Sequence, residues 1–261
     1  MMDENKRDLD APAEKSSKIR VGAVSYLNTK PLIYGFEKGM MQDEVELVID
    51  YPAKIAEALL ENKIDIGLVP VAVLPQMKNP YFVGDFGIAC DGPVATVCLF
   101  SEVPVEQIET VYLDYQSRTS VGLLKILLRD FWKISPRLVN ATAGYEDLIA
   151  GNTAGLVIGD RAFKQKNESK YCYDLGLAWK QMTGLPFVFA AWISNKQLSG
   201  AFKDAFNKSN ELGLANIDKL VAAYDSSLFN LSEYYSENIK FRIKDNMLEV
   251  IQLFLEKLKT V

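Results

Sequence analysis

The chain has 261 residues, of which 49% are hydrophobic and 24% charged, with a net charge of −5. This length supports one large domain or two small ones, and the acidic balance argues against a nucleic-acid binder, which carries a basic face. Histidine is absent; this excludes Ser–His triads, Cys–His dyads and metal sites with imidazole ligands.

Met1 to Ser17 is charged, lacks the apolar stretch of a signal peptide, and reads as a disordered lead-in. Ile19 to Val24 is an apolar strand that turns abruptly polar at Ser25-Tyr26-Leu27-Asn28-Thr29, and Pro31 then suits the first turn of a helix. In open α/β sheets ligands sit at the carboxyl ends of strands, so Ser25 to Thr29 is the first candidate binding turn. Glu46 to Asp50 reads as a strand, Ala53 to Leu60 as an amphipathic helix, and Ile64 to Val69 as a buried strand stopped by Pro70. Val83 to Ala89 and Val94 to Phe100 are strands around the turn Cys90-Asp91-Gly92-Pro93.

A second unit begins near Ser101. Thr110 to Asp114 is a strand, Ser117-Arg118-Thr119-Ser120 a polar turn, and Val121 to Trp132 an amphipathic helix. Arg137 to Asn140 is a short strand, Tyr145 to Ala150 a helix, and Ala154 to Asp160 a buried strand with a polar end at Gly159-Asp160-Arg161. Leu185 to Ile193 is apolar and runs back toward the first unit. After it the pattern is helical: Leu198 to Leu214, Ile217 to Leu228, Ser232 to Ile239 and Asn246 to Lys259.

The β–α–β order implies mostly parallel sheets. Polar strand ends that recur in both halves imply a two-lobed α/β cleft protein, with residues 18–100 and 194–261 in lobe 1 and residues 101–193 in lobe 2. The hinge crossings are expected near Phe100-Ser101 and Ile193-Ser194. The alternative is a single doubly wound sheet covered by the C-terminal helices. The three scattered cysteines, Cys90, Cys98 and Cys172, fit a reducing compartment and a cytoplasmic protein. No apolar run is long enough to span a membrane.

Several segments together resemble chorismate dehydratases of the futalosine route to menaquinone: Val24 to Leu32, Asp65 to Val71, Asp91-Gly92-Pro93-Val94, Ser117-Arg118-Thr119-Ser120, Asp174-Leu175-Gly176 with Trp179, and Thr183 to Val188. The resemblance covers about Lys18 to Asn195. It implies a periplasmic-binding-protein type II-like fold, each lobe a mixed sheet flanked by helices, with the ligand between them. It also implies dehydration of chorismate to 3-[(1-carboxyvinyl)oxy]benzoate without metal or organic cofactor; no obligate protein partner is inferred. The sibling 1,4-dihydroxy-6-naphthoate synthases use a histidine, which this chain lacks; a non-catalytic receptor for a small carboxylate is the other alternative.

The family's first-loop asparagine corresponds to Asn28, and Thr96 supplies a hydroxyl near the segment where the family carries a substrate-contacting serine. Ser25, Tyr26, Thr29, Gly92, Ser117, Arg118, Thr119, Ser120 and Asp160 are the candidate substrate contacts. Arg118 is expected to offer a bidentate grip and the helix start after Ser117 an anion site. Each of Asp65, Asp91, Asp114 and Asp160 is a possible base or a plain turn acid, and the family's substrate carboxylate is the competing proton acceptor. Trp179, Phe187, Phe189 and Trp192 are cleft walls or core. Cys90 is a small apolar filler, since no histidine activates it.

Overall fold

The computed structural model describes residues 18–224, 229–243 and 245–261. The lead-in, residues 1–17, and the last four positions of the helix expected through Leu228 lie outside them. Two mixed sheets form the framework. The first runs β11-β4-β10-β3-β1-β2 and the second β7-β6-β8-β5-β9. The first comprises β1 (Ile19–Val24), β2 (Val45–Asp50), β3 (Ile66–Pro70), β4 (Tyr81–Cys90), β10 (Phe187–Ser194) and β11 (Lys240–Arg242). The second comprises β5 (Val97–Ser101), β6 (Thr110–Leu113), β7 (Arg137–Asn140), β8 (Thr153–Ile158) and β9 (Tyr171–Asp174).

The βαβ units make the parallel pairs. β1 lies parallel to β2 and β3, with α1 (Lys30–Glu37) and α2 (Pro52–Leu60) as connections. β6 lies parallel to β7 and β8. Both long helices of these connections start for local reasons. α2 has Pro52 in its first turn. α3 (Arg118–Leu127) is capped by Ser117, whose Oγ accepts from Ser120 N at 3.1 Å. α3 then relaxes into a π-helical turn, Leu128–Trp132, ended by Lys133 in the left-handed region.

The lobe crossings differ from the expected ones. β5 pairs antiparallel with β8 and β9, inside the second sheet. β10 lies between β3 and β4, antiparallel to both, inside the first. The chain therefore crosses at residues 91–96 and 184–186, not after Phe100 and Ile193. Every residue of β5 is buried, and all of β10 except Ala190, so each must sit inside a sheet. A strand's own residues do not say which sheet.

Three further differences are local. Tyr145–Leu148 is a 3₁₀ turn, not a helix. The elements α4 (Arg161–Glu168), β9 and α5 (Leu175–Thr183) fill a stretch that carried no assignment. The C-terminal third is not helical throughout. After α6 (Gly200–Leu214) and α7 (Ile217–Ala222), the short α8 (Leu231–Glu233) starts one residue before Ser232, capped by Asn230. It continues as a π-helical turn, Tyr234–Asn238, and β11 then pairs with the edge of β4. α9 (Asp245–Leu258) closes the chain.

Candidate active site

A cavity of about 530 Å³, open solvent at its mouth included, lies between the two sheets. Its lining comes from strand ends and crossings of both: Val24, Tyr26 and Asn28 at and beyond the end of β1, Pro52 at the start of α2, Pro70, Ile88, Val94, Thr96 and Val97, Ser117 and Ser120 at the start of α3, Ile158 and Gly159 at the end of β8, and Phe189 and Ala190 of β10. Most of this wall is apolar. The polar groups are hydroxyls and one amide, and among the described residues the lining includes neither a carboxylate nor a cationic side chain.

Ser117 Oγ lies 2.8 Å from Ser120 Oγ and also accepts from the Ser120 amide. If the Ser117 proton is spent on Ser120, the Ser120 O–H is left to donate into the cavity. It does so at a helix N-terminus, where the first-turn amides point outward and favour negative charge. Thr96 lies on the first crossing and is buried; its Oγ1 stands 2.9 Å from the Tyr234 hydroxyl. The Asn28 side chain lies close enough to the same phenol to offset part of the upward shift that burial gives it.

Tyr26 closes one side. Its ring lies against Gly159, which has φ +66°, and a Cβ there would come within 3.0 Å of the ring. Only glycine combines that backbone with that approach. The Tyr26 hydroxyl donates to Gln116 Oε1, which also accepts from Arg161 Nη2 at 3.2 Å. Arg161 in turn pairs with Asp114 at 2.6 Å and with Glu146. Burial pushes the Tyr26 phenol well above its usual range, so it stays a neutral donor.

The remaining candidates sit around the cavity and not in its wall. Ser25 is exposed. Thr29 is fully buried, with its hydroxyl 3.4 Å from Asn28 Oδ1. Gly92 has φ +126° and open space beside it, at the start of the first crossing. Arg118 does not reach the cavity. It is exposed, and its guanidinium donates to Gln76 at 3.2 Å, since helix geometry turns its side chain away from its neighbour Ser120. Thr119 is committed elsewhere too, accepting from the Ala72 amide at 3.1 Å. Asp160 accepts from the Leu27 amide at 3.3 Å, tying the β8 end to the β1 turn; burial raises its carboxyl above the usual range.

The other acids hold structure. Asp65 pairs with Arg20 and Lys196, and Asp91 with Lys180. Of the four aromatics, only Phe189 lines the cavity. Trp179 and Trp192 are core, their indole N–H groups bonded to Pro186 O and Asn210 Oδ1. Cys90 is buried, and burial pushes its thiol far up. Among the described residues no group of three or more Cys, Asp or Glu could hold a metal ion. Sequence reasoning missed Tyr234 and Gln116. Tyr234 lies 138 positions from Thr96 and carries no local motif.

A family profile described as menaquinone biosynthesis matches residues 19–260. A chorismate dehydratase of Thermus thermophilus is 28% identical over 217 residues, covering 74% of this chain and 79% of that protein. One of Campylobacter jejuni is 24% identical over 249 residues, covering 92% and 97%. Among solved structures, protein AF1704 of Archaeoglobus fulgidus has a TM-score of 0.69 at 15% identity, covering 93% of this chain and 96% of that one. The periplasmic aliphatic sulphonate binding protein SsuA of Escherichia coli has a TM-score of 0.62 at 16% identity, covering 94% and 93%. These structural likenesses show the fold, that of periplasmic binding proteins. No helix among the described residues is long and apolar enough to cross a membrane.

Proposed function

The chain belongs to the menaquinone-biosynthesis family, and from that membership we propose that it is a chorismate dehydratase, a cofactor-independent hydro-lyase giving 3-[(1-carboxyvinyl)oxy]benzoate. Loss of water removes the ring proton beside the ether oxygen and the hydroxyl on the next carbon. The C–H electron pair enters the ring, which becomes aromatic. The reaction is strongly downhill, so the protein's task is to orient the substrate, exclude water and hold the developing charge.

The observation that carries the reading is the apolar inter-sheet cavity that gathers Asn28, Thr96, Ser117 and Ser120. In this reading the ring carboxylate, which accepts charge in the transition state, lies at the N-terminus of α3 against the Ser120 hydroxyl and the first-turn amides. Asn28 and Thr96 face the departing hydroxyl, which an amide and an alcohol can both donate to. Among the described residues the lining offers no enzyme carboxylate, and in this reading the proton passes to the substrate's own side-chain carboxylate. Phe189, Val24 and Ile88 keep that carboxylate poorly solvated and more basic. A cytoplasmic location belongs to the same proposal, supported by three cysteines that stand unpaired.

The test is to mix the protein with chorismate, follow loss of the diene absorbance and identify the product by mass. A product lighter by one water supports the dehydratase. Binding without conversion supports a solute receptor on the same fold.

A further inference from the structure

We propose that Tyr234 is a positioning residue that sets the hydrogen-bond directions of Thr96 and Asn28, a role that rests on the dehydratase reading above. Its phenol stands 2.9 Å from Thr96 Oγ1, and the Asn28 side chain lies close enough to influence its titration, so one oxygen stands beside both groups assigned to the departing hydroxyl. Tyr234 itself is absent from the cavity lining. It acts through its two neighbours.

The ring is held in place. Tyr234 is buried at the first position of a π-helical turn, with Phe163 and Phe229 edge-on at 5.3 and 6.3 Å. The oxygen it fixes has one proton and can accept. An amide carries both an acceptor and a donor, and with Asn28 Oδ1 beside the Thr29 hydroxyl at 3.4 Å its N–H is the group left to face the phenol. The phenol accepts from Asn28 and donates its own proton to Thr96 Oγ1. Among the described residues, the Val94 carbonyl, at 3.5 Å, is then the one competing acceptor for the Thr96 proton. That contact is at the limit of a hydrogen bond, so the Thr96 O–H points to the leaving hydroxyl. Burial keeps the phenol protonated well above its usual range, and the arrangement holds across working pH.

The test uses the full chain with Y234F, T96V, T96S and the double variant Y234F/T96V, assayed for chorismate loss. Y234F is expected to lower kcat about tenfold or more while KM stays within about twofold, the size of a lost proton-directing contact. The double variant should lose less than the product of the two single losses, since part of the Tyr234 effect runs through Thr96, whereas T96S, which keeps a hydroxyl, should remain sensitive to Y234F. A Y234F enzyme with near-parental kcat, or losses that multiply in the double variant, overturns the proposal. If the parent protein leaves chorismate unchanged, the dehydratase reading fails, and side-chain amide NMR decides the placement: the Asn28 resonance moves in Y234F if the phenol holds it, and an unmoved resonance overturns the assignment.

Discussion

Thr119 and Ser120 are adjacent hydroxyl residues with unlike duties. Thr119 Oγ1 accepts from the buried Ala72 amide across the lobes, whereas Ser120 faces the cavity. T119V should therefore cost about 1–3 kcal/mol of stability by stranding a buried donor, read from the urea midpoint, with little change in KM. S120A should leave stability nearly unchanged and raise KM for chorismate about tenfold, the value of one charge-assisted hydrogen bond. The reverse pattern would reassign both. Asp160 makes a pH prediction. Burial raises its folded carboxyl above the ordinary 3.8. The native state then holds a proton that the unfolded state has released, so stability falls as pH rises through the interval from about 4 up to the raised value. D160N removes that term while its carbonyl still accepts from Leu27. The melting temperature of D160N relative to the parent should rise between pH 4 and pH 7, and a flat difference would refute the raised value.

The element that organises the site is the first lobe crossing, residues 91–96. Ala95 stands there at φ +65°, a conformation unfavourable for a residue with a Cβ. Asp174 holds it. This carboxylate accepts from Val94 N at 3.0 Å and Ala95 N at 2.7 Å, and also caps α5 through Leu177 N at 3.0 Å. One side chain thereby joins the end of β9, the start of α5 and the segment carrying Thr96. D174N places an N–H donor among backbone N–H groups. It should cost about 2–3 kcal/mol in denaturant unfolding and lower kcat as well, since Thr96 is one residue beyond Ala95. A destabilised variant with parental kcat would show that the crossing tolerates movement.

At the scale of the whole molecule, two sheets do not mean two folding units. A single hydrophobic cluster includes Val21 and Leu68 of the first sheet, Val111 and Leu156 of the second, and Val250 and Phe254 of α9. α9 touches both β10 and α3, and near its end Lys257 pairs with Asp130 while Arg129 holds the Thr260 carbonyl. The C-terminal helix thus fastens one lobe to the other, beside the contacts Tyr26–Gln116 and Leu27–Asp160 at the cleft. Calorimetry should give one transition with matching calorimetric and van't Hoff enthalpies. Two resolved peaks would show that the shared cluster does not couple the lobes.

What the sequence determined by itself was local. The apolar run Ile19–Val24 ending in a polar turn, the Ser117 cap and the polar end of β8 are set by neighbouring residues and helix or strand periodicity, and all three deliver lining residues to the cavity. The sheet to which β5 and β10 belong, the outward turn of Arg118, the commitment of Thr119 to Ala72, and the meeting of Asn28, Thr96 and Tyr234 came only with the tertiary structure. Each depends on partners tens to hundreds of positions away. A buried apolar strand fits either sheet equally well until its hydrogen-bonding neighbour is chosen, and a hydroxyl's duty is decided by whichever unpaired group packing brings against it.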